Sequence, residues 1–173
     1  MAYIAKGRQY THGVKNTLAD LLTISAASVG DTAFCLENNR LMTAYGNNIW
    51  MCNDFVILTN NSGVNLPKGD VVIVDTTIAG AVTRTTTQGN PLVVGPVVFG
   101  NANGQPVAIA ISGVYEVRTN GSTNAGDLAL TSTTVGAGDS TTTVGDGFFG
   151  VYVQQNAAAG LTKCLIRSKP EYF

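Results

Sequence analysis

Three times in a chain of 173 residues a Gly-Asp pair opens an apolar run: in "SVGDTAFCL" at 28–36, "PKGDVVIVD" at 67–75 and "NAGDLALTS" at 124–132. Gly permits the positive φ of a tight reversal, and Asp can accept N–H bonds where a turn hands over to a strand. The runs that follow are short and rich in Val, Ile, Leu and Thr, which suit a pleated sheet. A chain punctuated in this way folds as many short strands. The repeated Gly-Asp pair is read as a structural turn device and not as chemistry; in the second copy Pro67 fixes φ, Gly69 reverses the chain and Asp70 is placed to accept backbone N–H groups.

Composition supports the same fold class. Charged residues are only 12% of the chain, about half the usual share, so uncharged Thr, Asn, Ser and Gly must cover the surface. With a formal net charge of −1, the chain has no clustered basic footprint for a phosphate backbone, and no nucleic-acid partner is expected. The three cysteines, Cys35, Cys52 and Cys164, match neither a metal site nor a disulfide framework and are read as free thiols. "MAYIAKGRQYTHG" has no apolar core of a signal peptide. The longest apolar stretch, "PLVVGPVVFG", is too short for a bilayer, so no membrane partner is expected and synthesis in a reducing cytoplasm is.

Along the chain, residues 1–29 are predicted to form an extended N-terminal arm and one short helix, "NTLADLLTIS", capped by Asn16 or Thr17. Residues 30–54 read as a small β-meander. Either Ala33 and Cys35 or Phe34 and Leu36 face inward on its first strand, and Tyr45 and Trp50 flank its second turn. Residues 55–168 form the main β domain, a compact β-sandwich or β-barrel-like unit. Within it "AVTRTTT" alternates like an exposed edge strand, and residues 119–147 read as a long loop with one short strand at "DLALTS". Residues 169–173 are a C-terminal tail.

Little in this text points to catalysis. His12 is the single histidine, so nucleophile-histidine pairs and zinc sites lack their parts. No phosphate-binding Gly-rich loop opens a helix. "GAGDSTTTVGDG" is faintly similar to Gly-Asp calcium repeats but lacks their tandem period. The carboxylates fall at turns and strand starts, where capping accounts for them. No enzyme activity, cofactor or metal is expected. Tyr45 and Trp50 are the candidate surface aromatics, able to stack on a sugar but more often packing residues.

The series "NNSGVNLPKGDVVIVD…AVTRTTT…LVVGPVVFGNANGQPVAIAISGVYEVRT…NAGDLALTSTTVG…GVYVQQNAAAGLTKCLIR", roughly residues 55–168, resembles the capsid decoration, or cement, proteins of tailed bacteriophages. Residues 30–52, with "GDTAF", "RLMTAYG" and "IW", depart from that pattern and resemble β-meander units of phage tail fibres. The first resemblance implies a virion protein on the outer surface of the capsid, usually a homotrimer, that clamps the major capsid protein lattice. The second implies a tail-fibre or receptor-binding module that binds a cell-surface glycan. Under the first, Tyr3, Ile4, Lys6, Arg8 and Tyr10 of the arm and Tyr172 and Phe173 of the tail are the expected contacts with the capsid or a neighbouring subunit, because aromatic and Arg side chains are the usual interface anchors.

Overall fold

The computed structural model describes residues 12–167 apart from 18–19, 22, 25–26, 37–39, 45–49 and 53. It divides into two compact units, Met1–Cys52 and Asn53–Phe173.

In the first unit Thr17 is the helix cap. Its Oγ1 accepts from the Asp20 N–H at 3.1 Å, and the Asp20 carboxylate accepts from the N–H groups of Asn16 and Thr17. Each of the two side chains thus satisfies backbone donors that the first turn leaves unpaired. Strands β2 (Thr32–Cys35), β3 (Arg40–Ala44) and β4 (Trp50–Met51) form the expected antiparallel meander. Ala33 and Cys35 turn inward beside Met42, Ala44 and Trp50, while Leu36 is exposed. Strand β1 (Val14–Lys15) lies parallel to β2; at two residues it is too short to carry an alternation that sequence could display.

Among the described residues the second unit holds ten strands. The first five are β5 (Phe55–Asn60), β6 (Val71–Val74), β7 (Ala81–Thr83), β8 (Val93–Phe99) and β9 (Pro106–Ala110). They pair in the order β5-β7-β6-β8-β9, and β9 returns to β5, which closes a barrel. After the single residue Ile111 come β10 (Ser112–Thr119), β11 (Leu128–Thr131), β12 (Gly138–Thr141), β13 (Phe148–Tyr152) and β14 (Gly160–Arg167), closed in the order β10-β12-β11-β13-β14. The wiring is the same in both. The first and third strands of each barrel run parallel and the other pairs antiparallel. The register slips between Val72 and Ile73 in one barrel and between Ala129 and Leu130 in the other. These four residues occupy matching positions after their Gly-Asp pairs. The unit is a structural duplication.

The Gly-Asp turns are part of it. The Asp N–H donates back to the residue three before it, Pro67 for Asp70 and Asn124 for Asp127, at 3.2 Å in each case. The Gly N–H then donates across the sheet to Val97 or Tyr152, and that residue's N–H returns to the Asp carbonyl. Gly69 and Gly126 have φ of 87° and 97°, the left-handed conformation that the third residue of such a turn requires. The first unit uses the device too: Asp31 N–H donates back to the Ser28 carbonyl, Gly30 N–H donates to the Ala44 carbonyl, and Ala44 N–H returns to the Asp31 carbonyl.

Closure resolves the choice between sandwich and barrel in favour of barrels and corrects two expectations. "AVTRTTT" is not an edge, because β7 lies between β5 and β6 with Ala81 and Val82 buried. Residues 119–147 are not one long loop, because β12 pairs with both β11 and β10. Val71 and Ala110 from the first barrel pack with Val117, Ala129, Phe149, Tyr152, Cys164 and Ile166 from the second in one apolar cluster, so the two barrels share a core.

Gly95 and Gly150 occupy matching positions on β8 and β13. A Cβ on either would stand 2.1 Å from the Ala110 carbonyl oxygen or 2.5 Å from that of Leu165. Overpacking of a close backbone approach costs roughly 1–3 kcal/mol. Gly95→Ala and Gly150→Ala are each expected to lose stability in that range by urea unfolding, whereas Gly121→Ala, with open space around it, stays within about 0.5 kcal/mol.

Candidate functional site

The densest concentration of charge among the described residues lies where the barrels meet. It begins at the turn Pro67-Lys68-Gly69-Asp70. In the other two Gly-Asp turns the Asp carboxylate caps the turn, accepting from the Ser28 N–H at Asp31 and from the Asn124 N–H at Asp127, both at 2.9 Å. Pro67 has no N–H to give, and the Asp70 carboxylate turns away from its own turn into the buried junction. The expectation that Asp70 accepts backbone donors is therefore corrected: its Oδ1 accepts from Arg118 Nε at 2.7 Å. Arg84 Nη1 stands 3.8 Å from its Oδ2.

The backbone follows the side chain. Arg118 N–H donates to the Gly69 carbonyl at 2.8 Å, and Val71 N–H donates to the Gly136 carbonyl at 2.9 Å. In the first barrel the matching residues, Thr59 and Gly80, bond directly to each other at 3.0 Å. Residues 69–71 thus enter the second barrel as a wedge in place of one β10–β12 hydrogen bond. Arg118 Nη2 also donates to the Val135 carbonyl, and Lys68 pairs with Glu116 across the same junction at 2.7 Å. A second clamp is a strap formed by Thr87–Asn90. Gly89 N–H donates to the Thr131 carbonyl, Asn90 N–H to Thr131 Oγ1, Thr131 Oγ1 to the Thr87 carbonyl, and Gln88 Nε2 to the Asp139 carboxylate.

Asp70 is completely buried. Burial pushes its carboxyl above the ordinary range, against the opposing pull of Arg118 and Arg84. The folded chain therefore binds this proton more tightly than the unfolded one. That contribution to stability is fully present below the ordinary carboxylate pKa and is lost as pH rises through the raised value. Asp75 behaves oppositely. Hydrogen bonds from Thr77, Asn61 and Ile78 lower it to about 2, so its contribution is present above the ordinary range and lost as pH falls toward that value. A Cβ at Gly136 would approach Asp70 Oδ2 to 2.7 Å, which leaves no room for a substrate beside the carboxylate. The cluster fastens two barrels together. Burial likewise pushes the Cys164 thiol up to about 12, far from a reactive thiolate.

No group of His, Cys, Asp and Glu among the described residues could hold a metal ion. Cys35, Cys52 and Cys164 form no disulfide among the described residues. Of the residues expected to make contacts, Tyr3, Ile4, Lys6, Arg8, Tyr10, Tyr172 and Phe173 lie outside the described residues, as does Tyr45. Trp50 is not a surface aromatic. It is 0% exposed, with the His12 ring edge-on at 6.2 Å, because β4 turns it into the core of the meander. His12 also pairs with Asp31 at 2.8 Å, so it ties β1 to the meander. Sequence reasoning missed Arg118 and Gly136. The available signal was Glu116 and Arg118 two residues apart on one strand, in a chain that places few charges anywhere.

Fold and junction together define an all-β protein built on a duplicated barrel. No protein-family model matches the chain, and no curated protein matches it. Among solved structures it is similar to the head fiber gp8.5 N base in bacteriophage phi29, at 17% identity and a TM-score of 0.48, over 68% of this chain and 99% of that one.

Arg118→Ala is expected to cost about 3 kcal/mol, the low end for breaking a buried pair, because Arg118 keeps 36% side-chain exposure. Asp70→Asn keeps the Oδ1 acceptor and should cost less. Chemical denaturation at neutral and mildly acidic pH checks both: Arg118→Ala recovers part of its loss on acidification, as the stranded carboxylate takes up a proton, and Asp70→Asn does not.

Proposed function

We propose that this chain is a structural virion protein that binds the outside of a phage head as a homotrimer and cements the lattice of the major capsid protein. The observation that carries this reading is the welded pair of barrels. A block held by the wedge, the strap and a shared core presents its surfaces in fixed relation, which suits a protein that bridges neighbouring subunits of a shell and resists their separation. The low charge content fits prolonged packing against other protein, since little ionic hydration must be displaced. Many copies, each contributing modest affinity, would stabilise a lattice collectively. The resemblance of residues 55–168 to decoration proteins supplies the kind of partner.

The alternative, a tail-fibre module that binds a cell-surface glycan, draws on the meander at residues 30–52. It loses its described candidate platform, because Trp50 is buried.

Copy number in purified particles tests the proposal. A ratio to the major capsid protein near that of a lattice component, with particles lacking the chain rupturing at lower temperature, is the expected result. A handful of copies per particle would move the protein to the tail, and its absence from particles would overturn the virion assignment.

A further inference from the structure

The duplication allows the two barrels to be compared position by position at the surface where one receives the other. On the second barrel that surface is Thr131, which is 0% exposed beneath the strap, together with Gly147. A Cβ at Gly147 would stand 2.2 Å from the Gly89 carbonyl carbon, so the strap passes where a side chain would be. The matching residues on the first barrel are Val74 and Leu92, adjacent through the bond from Val74 N–H to the Leu92 carbonyl. Both are exposed, Val74 at 45%. Where one barrel has a small or polar residue under a covering loop, the other displays two aliphatic side chains.

The complementary feature is also left over. The strap belongs to the β7–β8 connection. The matching β12–β13 connection of the second barrel carries Val144, which at 76% has the greatest exposure of any large apolar side chain among the described residues. Gly145 beside it has nothing within 4 Å of a Cβ.

We infer that the apolar patch of Val74 and Leu92 on the first barrel receives the Val144 loop of the second barrel of another copy. The occupant is a second copy because the chain already mates these two kinds of surface internally, first barrel to second, and the unused surfaces are the matching ones. Such a contact joins unlike faces, so its geometry either closes a ring or runs on as a chain. The inference rests on the self-association in the proposed function but not on attachment to a head, and isolated full-length protein can test it.

The experiment is disulfide trapping. Leu92→Cys and Val144→Cys are introduced together and singly, the protein is oxidised mildly, and species are resolved on a denaturing gel beside a sedimentation measurement of native mass. Cys35 and Cys164 are buried, and the unmodified chain reports any background from Cys52. The double variant is expected to give intermolecular adducts of at least two chains, with each single variant giving at least tenfold less. Val144→Asp is expected to lower the native mass of the otherwise unmodified protein while leaving its unfolding midpoint unchanged. A native monomer at every concentration, adducts equally abundant in a single variant, or an associated protein that forms no adduct would each overturn the inference. Trapping that succeeds in a protein that never binds heads would leave this contact standing and remove the head assignment.

Discussion

The missing N–H of Pro67 has the longest reach of any single feature. A proline three residues before Asp70 takes away the donor that the corresponding carboxylates use in the other two Gly-Asp turns. The freed carboxylate finds Arg118, and the backbone on either side enters the gap between β10 and β12. A buried carboxylate tolerates such a place only with a cation and good hydrogen bonds beside it, so Arg118 and the lack of a side chain at Gly136 are conditions of the arrangement. Without them the barrels would be joined through Ile111, the strap and their shared core.

Duplication explains how the junction could arise within one chain. Both barrels carry the same turn, bulge and closure, and a few positions separate a mated surface from a free one. Gly69 is packed beneath Leu161 and Arg118, while nothing lies within 4 Å of a Cβ at Gly126. Thr131 is covered and Val74 is not. Differences of that size leave the core alone and change what the outside can bind, which is how one barrel becomes the receiver and the other the inserter.

Strands β5, β6, β8 and β9 were legible in the sequence because each is an apolar run bounded by Gly, Pro or Asn, and the meander because it alternates. Strand β12 was not. Gly138-Asp139-Ser140-Thr141 has no apolar rhythm and is a strand because β11 and β10 flank it. β7 read as an edge because its polar residues follow the buried Ala81 and Val82. The duplication showed only through the shared Gly-Asp pair, since the side chains around it have diverged while the backbone bonds have not. The junction was illegible for a similar reason: Pro67 and Arg118 are far apart in sequence, and only closure of both barrels brings them together.

Amide hydrogen exchange at Val71 and Arg118 tests the central claim most directly, because their N–H groups make the two backbone bonds of the wedge between the barrels. If the barrels are one body, both amides exchange as slowly as Val117 and Ile109 in the barrel walls, through the same cooperative opening. Exchange faster by orders of magnitude, with the wall amides still protected, would mean that the barrels part while each stays folded, and would contradict the account.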